Sequence, residues 1–541
     1  MNDSRWYFCC KAFADVIGLD ETTFHILDAF GPSSHPHVFK PASESVETLA
    51  PLLKTASSFD ELENGLSELA GHLKQTIVEV LSSEVDSDQA SMFARRFDSV
   101  FRMLTDISID SDVARLYRVG FVCRLAEILC GPIPRVLRVR AICDYYYSQG
   151  AIVFHRLRQS GHEIPTLEEL LEKASWKSLG GTIEYASILG DTTKGPVSIH
   201  LLKAKEVRLE ARDSRVPSNT TFPTWAHSEG STAGVSGGFF LYSEIDIAAP
   251  SRRTDPVGLL VHKGQVFNPP VFRRSAVLQN EAGDIALERV GMRGVSILWR
   301  GDGIIVEEEN QLDLLGQTPV AFNRAFAKRL PPHSFPSFSA VGSHVCEVGA
   351  GVQSIPLAGY VLVLPICEST ELPEPCDSLS YKLPYYNGSR VMEAMAGGPR
   401  LLDESPDEPA TTEDIQTPDL RSENFDGTAP PVTFSQDETF DQNLLPRMVV
   451  GLTRKQELVF AAIDGRNFQQ APGMTLRDAA HLMRALDCYR VINLDGGSSK
   501  RMVMNGQSVD LSTTEVVRPD SQQTTTHIRP VHSSILLYSN D

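Results

Sequence analysis

The sequence predicts an α+β protein in two parts: an N-terminal all-α helical domain over residues 1–178, followed by a predominantly β, α+β domain over 185–541. Three observations predict it. Apolar residues recur at helical spacing through the first part, where strand patterning is poor. Beyond residue 180 the glycines rise, and short alternating runs recur at close intervals. One long amphipathic helix, 475–486, is legible in the second part, so its core must come from sheets. The 541 residues are 42% hydrophobic and 22% charged, enough chain for a large core.

The helices of the first part follow in order. Ser58 and Glu61 form a capping box, and Leu62, Leu66, Leu69, Leu73, Ile77 and Val80 then mark one helical face. A second helix carries Phe93, Phe97, Val100, Phe101 and Leu104, and a third runs over 113–129. A fourth follows Pro134 and passes Ile142, Tyr145 and Phe154 before Gly161 breaks it; Thr166 and Glu169 cap a short fifth. No chemical motif stands out. His72 and His155 read as ordinary helix residues, and Tyr145, Tyr146 and Tyr147 as mainly core or interface. This part is expected to be a dimerisation or partner-binding bundle, a lid, or a packing extension; a homodimer through it is the oligomer to test.

The second part begins with alternating runs at 197–202 and 207–211. Strands are predicted at 256–262, 285–290, 294–299, 303–307, 359–364, 448–451, 458–463, 489–494 and 534–538. Residues 403–441 interleave twelve acidic side chains with Pro, Thr and Ser, and read as a mobile acidic insertion. The polar tract 521–527 reads as a surface loop.

With 50 Lys and Arg against 69 Asp and Glu, the net charge is −19, which argues against nucleic acid as a partner and against wholesale binding to anionic membranes. No apolar run is long enough for a membrane span. The N-terminus lacks the apolar region of a secretory signal, so a cytoplasmic location is expected. The nine cysteines are odd in number and mostly in apolar settings, as reduced core thiols would be. No Cys and His spacing reads as a zinc site.

The chemistry concentrates in 491–506, where Val491, Ile492, Asn493 and Leu494 lead into Asp495. Gly496, Gly497, Ser498 and Ser499 follow, then Lys500, Arg501, the apolar run Met502 to Met504 and an Asn505, Gly506 turn. A buried strand ending at Asp495 would present a carboxylate beside a loop of exposed N–H groups, a setting for anion binding. A tight turn with a solvated Asp is the plainer alternative. Upstream come Pro446, Arg447 and Gly451, then the apolar run 458–463, then Asp464, Gly465 and Arg466, then Gly473, Met474 and Thr475 before the helix.

This order resembles the phosphodiester glycosidase family, which includes the enzyme that uncovers mannose 6-phosphate by removing GlcNAc from a phosphodiester. Ser236, Gly237, Gly238, Phe239 and Phe240 are similar to an earlier family motif, with Ser236 replacing Asn. So are the run 256–264 and the element 397–402. The departures are Ser236, Met448 for Thr, Ser498 for a third Gly, and Lys500 and Arg501 for small hydroxyl residues.

The resemblance implies a sugar-1-phosphodiester as small-molecule partner and hydrolysis of its C1–O bond. Arg447, Arg466 and backbone N–H groups of Gly237, Gly238, Gly496 and Gly497 would stabilise the phosphate leaving group. Ser236, Ser498, Ser499 and Lys500 are further candidates for phosphate or sugar. Asp495 is the leading catalytic carboxylate, as base or oxocarbenium stabiliser, with Asp464 second and Glu393 third. No cofactor is required; Asp464, Asn493 and Asp495 are oxygen ligands suited to calcium or magnesium. Two alternatives stand beside hydrolysis: a related enzyme repurposed for another step on a phosphorylated intermediate, and a non-catalytic binding protein.

Overall fold

The computed structural model describes residues 164–192, 195–213, 221–241, 256–366, 371–375, 377–408, 415, 420–425, 444–465, 471–511 and 531–539. The helices expected before residue 164, most of the acidic insertion, Arg466 and the tract 521–527 lie outside the described residues. The rest is mostly β, as predicted, with few helices.

A seven-stranded antiparallel sheet organises the domain. Its order is Lys177–Gly180, Ile183–Thr192, Gly195–Ala204, Leu458–Ile463, Arg447–Thr453, Cys488–Asn493 and Arg400–Asp403. Strands distant in sequence therefore lie side by side: Ile463 pairs with Ile199, and Val449 with Asn493. Every residue of Arg447–Thr453 and of Leu458–Ile463 is buried, so these central strands are covered on both faces.

One face of this sheet is covered by the helix Leu476–Ala485. Thr475 caps it by accepting from the Asp478 N–H at 3.0 Å, and Leu476, Ala479, Ala480, Leu482 and Met483 face the core. The short helix Leu167–Glu172 packs on the same side, through Leu167, Leu170 and Leu171. Its predicted capping box is present, with Thr166 and Glu169 bonding reciprocally. That helix and the start of the strand Lys177–Gly180 fall within 1–178 yet pack with the β domain, where their apolar side chains find cover.

The other face packs on two five-stranded sheets. One runs Gln507–Ser508, Met502–Met504, Ala233–Ser236, Ser533–Tyr538 and Arg208–Asp213. The other runs Gln265–Asn268, Leu260–His262, Val391–Ala396, Ser275–Asn280 and Ile285–Arg289. Residues 296–382 add a three-stranded and a further five-stranded sheet around a separate aromatic core that includes Trp299, Phe338 and Tyr360.

The acidic insertion departs from expectation where it is described. Ile415, Leu420 and residues 423–425 return to the core instead of staying in solvent. Glu423 is fully buried and accepts from the Ser275 N–H at 2.7 Å, the Arg400 N–H at 2.8 Å and Arg289 Nε at 3.3 Å. Phe425 lies 4.0 Å beneath the Arg274 guanidinium. A lone Leu420 and Phe425 in an acidic stretch look too sparse to fold, but they fill a core that the sheets already provide. Among the described residues no helix is long and apolar enough to cross a membrane, and Cys488 is a buried free thiol.

Candidate active site

The site lies where three sheets end together. The chain leaves the central sheet at Asn493, and Asp495 donates its N–H to the Gly237 carbonyl at 3.0 Å. Gly497 donates to the Pro446 carbonyl at 2.8 Å, and Gly398 to the Asn493 carbonyl at 2.7 Å. These bonds unite the motifs at 235–240, 397–402, 446–451 and 491–506. The glycines are required for the approach: a Cβ on Gly238 would sit 2.1 Å from the Ala396 carbonyl, and one on Gly397 2.5 Å from that of Asn493. Asn493 and Leu494 are buried, whereas Asp495, Gly496 and Gly497 are half-buried, so the chain surfaces at the carboxylate.

Behind this loop is a buried charge network. Asp464 Oδ1 accepts from Lys500 Nζ at 2.5 Å and from the Leu511 N–H at 3.0 Å; Oδ2 accepts from Ser198 Oγ at 2.5 Å and lies 3.3 Å from His200 Nε2. The Tyr185 hydroxyl is 2.8 Å from His200 Nδ1. Lys500 Nζ also meets Asp510 Oδ2 at 2.6 Å and the Leu511 carbonyl at 3.3 Å. Burial alone raises the Asp464 carboxyl and lowers the Lys500 ammonium, but in each case the opposite charge prevails. Asp464 is held below the ordinary carboxylate value by Lys500 and His200, and Lys500 above the ordinary amine value by Asp464 and Asp510.

This geometry corrects the reading of Lys500 as a phosphate ligand. Its ammonium is wholly buried and held by two carboxylates and a carbonyl. The sequence could not show this, because Asp510 lies outside the recognised motifs. The Asn505, Gly506 turn, which folds Met502–Met504 onto Gln507–Ser508, was the one signal that brings Asp510 back. Ser198, His200 and Tyr185 were missed as well, being ordinary strand residues until Gly195–Ala204 pairs with Leu458–Ile463.

Arg447 is buried at the start of its strand, beside the 495–497 loop, and its Nε donates to the Met474 carbonyl at 3.1 Å. Ser236 Oγ accepts from the Arg501 N–H at 3.1 Å. Ser499 is buried, and Gly497–Ser499 form a 3-10 turn that also contains Ser498. Glu393 is not engaged with the glycine loops: it accepts from Ala211 N and Lys263 N, each at 2.8 Å, and lies 3.0 Å from His262 Nδ1. It ties two sheets together.

Of the oxygen ligands considered for calcium or magnesium, Asn493 Oδ1 is buried with no hydrogen-bond partner among the described residues. The Asp464 carboxylate is engaged by Lys500, and Asn493 Nδ2 donates to the Gly398 carbonyl at 3.1 Å. Among the described residues no group of three His, Cys, Asp or Glu is arranged to hold a metal ion.

Residues 377–538 match the phosphodiester glycosidase family model, and the chain carries a domain of that family. The motifs at 235–240 and 256–264 lie upstream of the match, yet Ala233–Ser236 sits between two matched strands. A search of curated proteins returns no match. Among solved structures, a hypothetical protein from Synechocystis aligns with a TM-score of 0.39 and 16% identity, covering 66% of this chain and 62% of that one. The chain thus spans less than two thirds of that protein. The catalytic domain of zebrafish N-acetylglucosamine-1-phosphodiester alpha-N-acetylglucosaminidase, auto-inhibited by its pro-peptide, aligns with a TM-score of 0.36 and 13% identity, covering 68% of this chain and 86% of that one.

Proposed function

We propose that the protein hydrolyses the C1–O bond of a sugar-1-phosphodiester or related glycosyl phosphate, releasing free sugar and a phosphomonoester. The family match supports the class. The observation that carries the reading is the junction at Asp495, where its N–H holds the Gly237 carbonyl and three pairs of glycines close around it. The leaving group is a phosphomonoester, stable as an anion near neutral pH, so it needs less protonation than a sugar alkoxide. Its growing charge is stabilised by nearby positive charge and N–H donors. Arg447 brings that charge to the loop. Asp495, at the half-buried rim, serves the sugar side by stabilising the oxocarbenium centre or taking a proton from attacking water. Water supplies the new C1 hydroxyl, and its proton leaves through the base or the phosphomonoester. Asp464 acts behind the loop, fixing Lys500 and through it the 497–501 turn.

The test incubates the purified chain with a panel of sugar-1-phosphodiesters and nucleotide sugars, read by mass spectrometry and phosphorus NMR. Free sugar plus an intact phosphomonoester, absent with Asp495→Ala, is the expected result. No turnover across the panel from folded protein would count against it.

A further inference from the structure

One row across the five-stranded sheet that carries Ala233–Ser236 ends in an incompletely partnered arginine. Backbone pairing sets Arg501 beside Ser236, Ser236 opposite Ser534, and Ser534 opposite Arg212. Cross-strand neighbours project to the same face. Arg212 identifies that face as the one carrying the helix Phe222–Ser228, because its guanidinium lies 5.5 Å over the Trp225 ring. Arg212 is held by Glu210 at 2.9 Å and Glu229 at 2.7 Å. Arg501, at the other end of the row, has no carboxylate in hydrogen-bond contact among the described residues. Its Nη1 donates to the Lys500 carbonyl at 2.5 Å, and its Nη2 has no partner among the described residues.

Two hydroxyls share this condition. Ser534 Oγ, in the same row, and Ser499 Oγ, two residues before Arg501, lack partners among the described residues. Lys500 between them turns the other way, into Asp464 and Asp510. The three side chains are 2%, 0% and 2% exposed for Arg501, Ser534 and Ser499, so solvent does not satisfy them. Burial pushes the Arg501 guanidinium below its ordinary value, with the charge of Asp510 opposing. A buried cation with an unfilled donor, sharing a sheet face with the unpartnered Ser534 hydroxyl and lying two residues along the chain from that of Ser499, suits a tetrahedral oxyanion. Ser236 directly precedes Gly237, whose carbonyl holds Asp495, so the row adjoins the proposed catalytic loop.

We propose that Arg501, Ser534 and Ser499 form an oxyanion subsite that takes a phosphoryl group of the substrate. The identity of the anion rests on the phosphodiester reading; the subsite itself rests on the unfilled polar atoms. The experiment titrates inorganic phosphate into the full chain by calorimetry, with thermal melting alongside and chloride to match ionic strength. Phosphate is expected to bind and raise the Tm. Arg501→Met should weaken that binding roughly tenfold to a hundredfold and abolish the rise, without lowering the Tm in phosphate-free buffer. If Arg501→Met does not fold, Ser534→Ala carries the test, with an expected loss of about threefold to tenfold. Phosphate affinity unchanged in the folded variants, or no binding by the unaltered chain, overturns the subsite. Turnover of a sugar-1-phosphodiester separates the two proposals. Turnover with phosphate affinity indifferent to both substitutions discards the subsite and keeps the hydrolase; Arg501-dependent phosphate binding without turnover does the reverse.

Discussion

Asp464, Lys500 and Asp510 place three charges in the interior, and each is tolerable only because of the others. Lys500→Met leaves two buried carboxylates facing each other. The expected loss is about 3–5 kcal/mol, measured by urea denaturation at neutral pH. The pH dependence follows from the directions of the shifts. The lowered Asp464 contributes stability that is full above its unfolded value, about 3.9, and lost as pH falls through its folded value. The raised Lys500 contributes stability that is full below about 10.4 and lost as pH rises through its folded value. The difference between the native chain and Lys500→Met should therefore be greatest at neutral pH and shrink on acidification, as the variant's carboxyls protonate. A difference independent of pH would contradict the network. Asp495→Asn sits at the half-buried rim and should change stability by less than about 1 kcal/mol while lowering turnover by about 10²–10⁴-fold. Asp495 could be singled out from sequence because a strand, a carboxylate and glycines are contiguous. Lys500 was misread because its partners are distant in the chain.

Among the elements, those whose pattern is local were legible. The predicted strand 458–463 is the observed Leu458–Ile463, 285–290 is Ile285–Arg289, and the helix 475–486 is Leu476–Ala485. Ser275–Asn280 and Val391–Ala396 were not legible. Both are central to their sheet and almost wholly buried, so neither alternates, and each carries a buried polar residue, Gln279 or Glu393, that ties it to another sheet. The helix Phe222–Ser228 was hidden by a proline in its first turn. Two substitutions test elements directly. Thr475→Ala removes the helix cap and should cost about 1 kcal/mol in denaturant unfolding. Gly238→Ala forces a backbone carbonyl aside and should cost about 1–3 kcal/mol together with turnover. A normal melting curve and full turnover for Gly238→Ala would mean that the close approach to Ala396 does not shape the site.

For the whole molecule, the family match begins at residue 377, but the fold does not. Leu458–Ile463 pairs with Gly195–Ala204, and Ala233–Ser236 separates Met502–Met504 from Ser533–Tyr538. A fragment of residues 377–538 would leave those strands with open edges and half a core. It should show no cooperative unfolding by circular dichroism, whereas a fragment of 164–541 should melt cooperatively. Cooperative melting of the shorter fragment would show that the upstream strands are dispensable.

The most direct test of the central claim asks which bond breaks. A sugar-1-phosphodiester that the chain turns over is hydrolysed in ¹⁸O-labelled water, and both products are weighed by mass spectrometry. Cleavage of C1–O puts the label in the sugar and none in the phosphomonoester. Label in the phosphomonoester would mean attack at phosphorus, and the glycosidase reading of the Asp495 loop would be wrong.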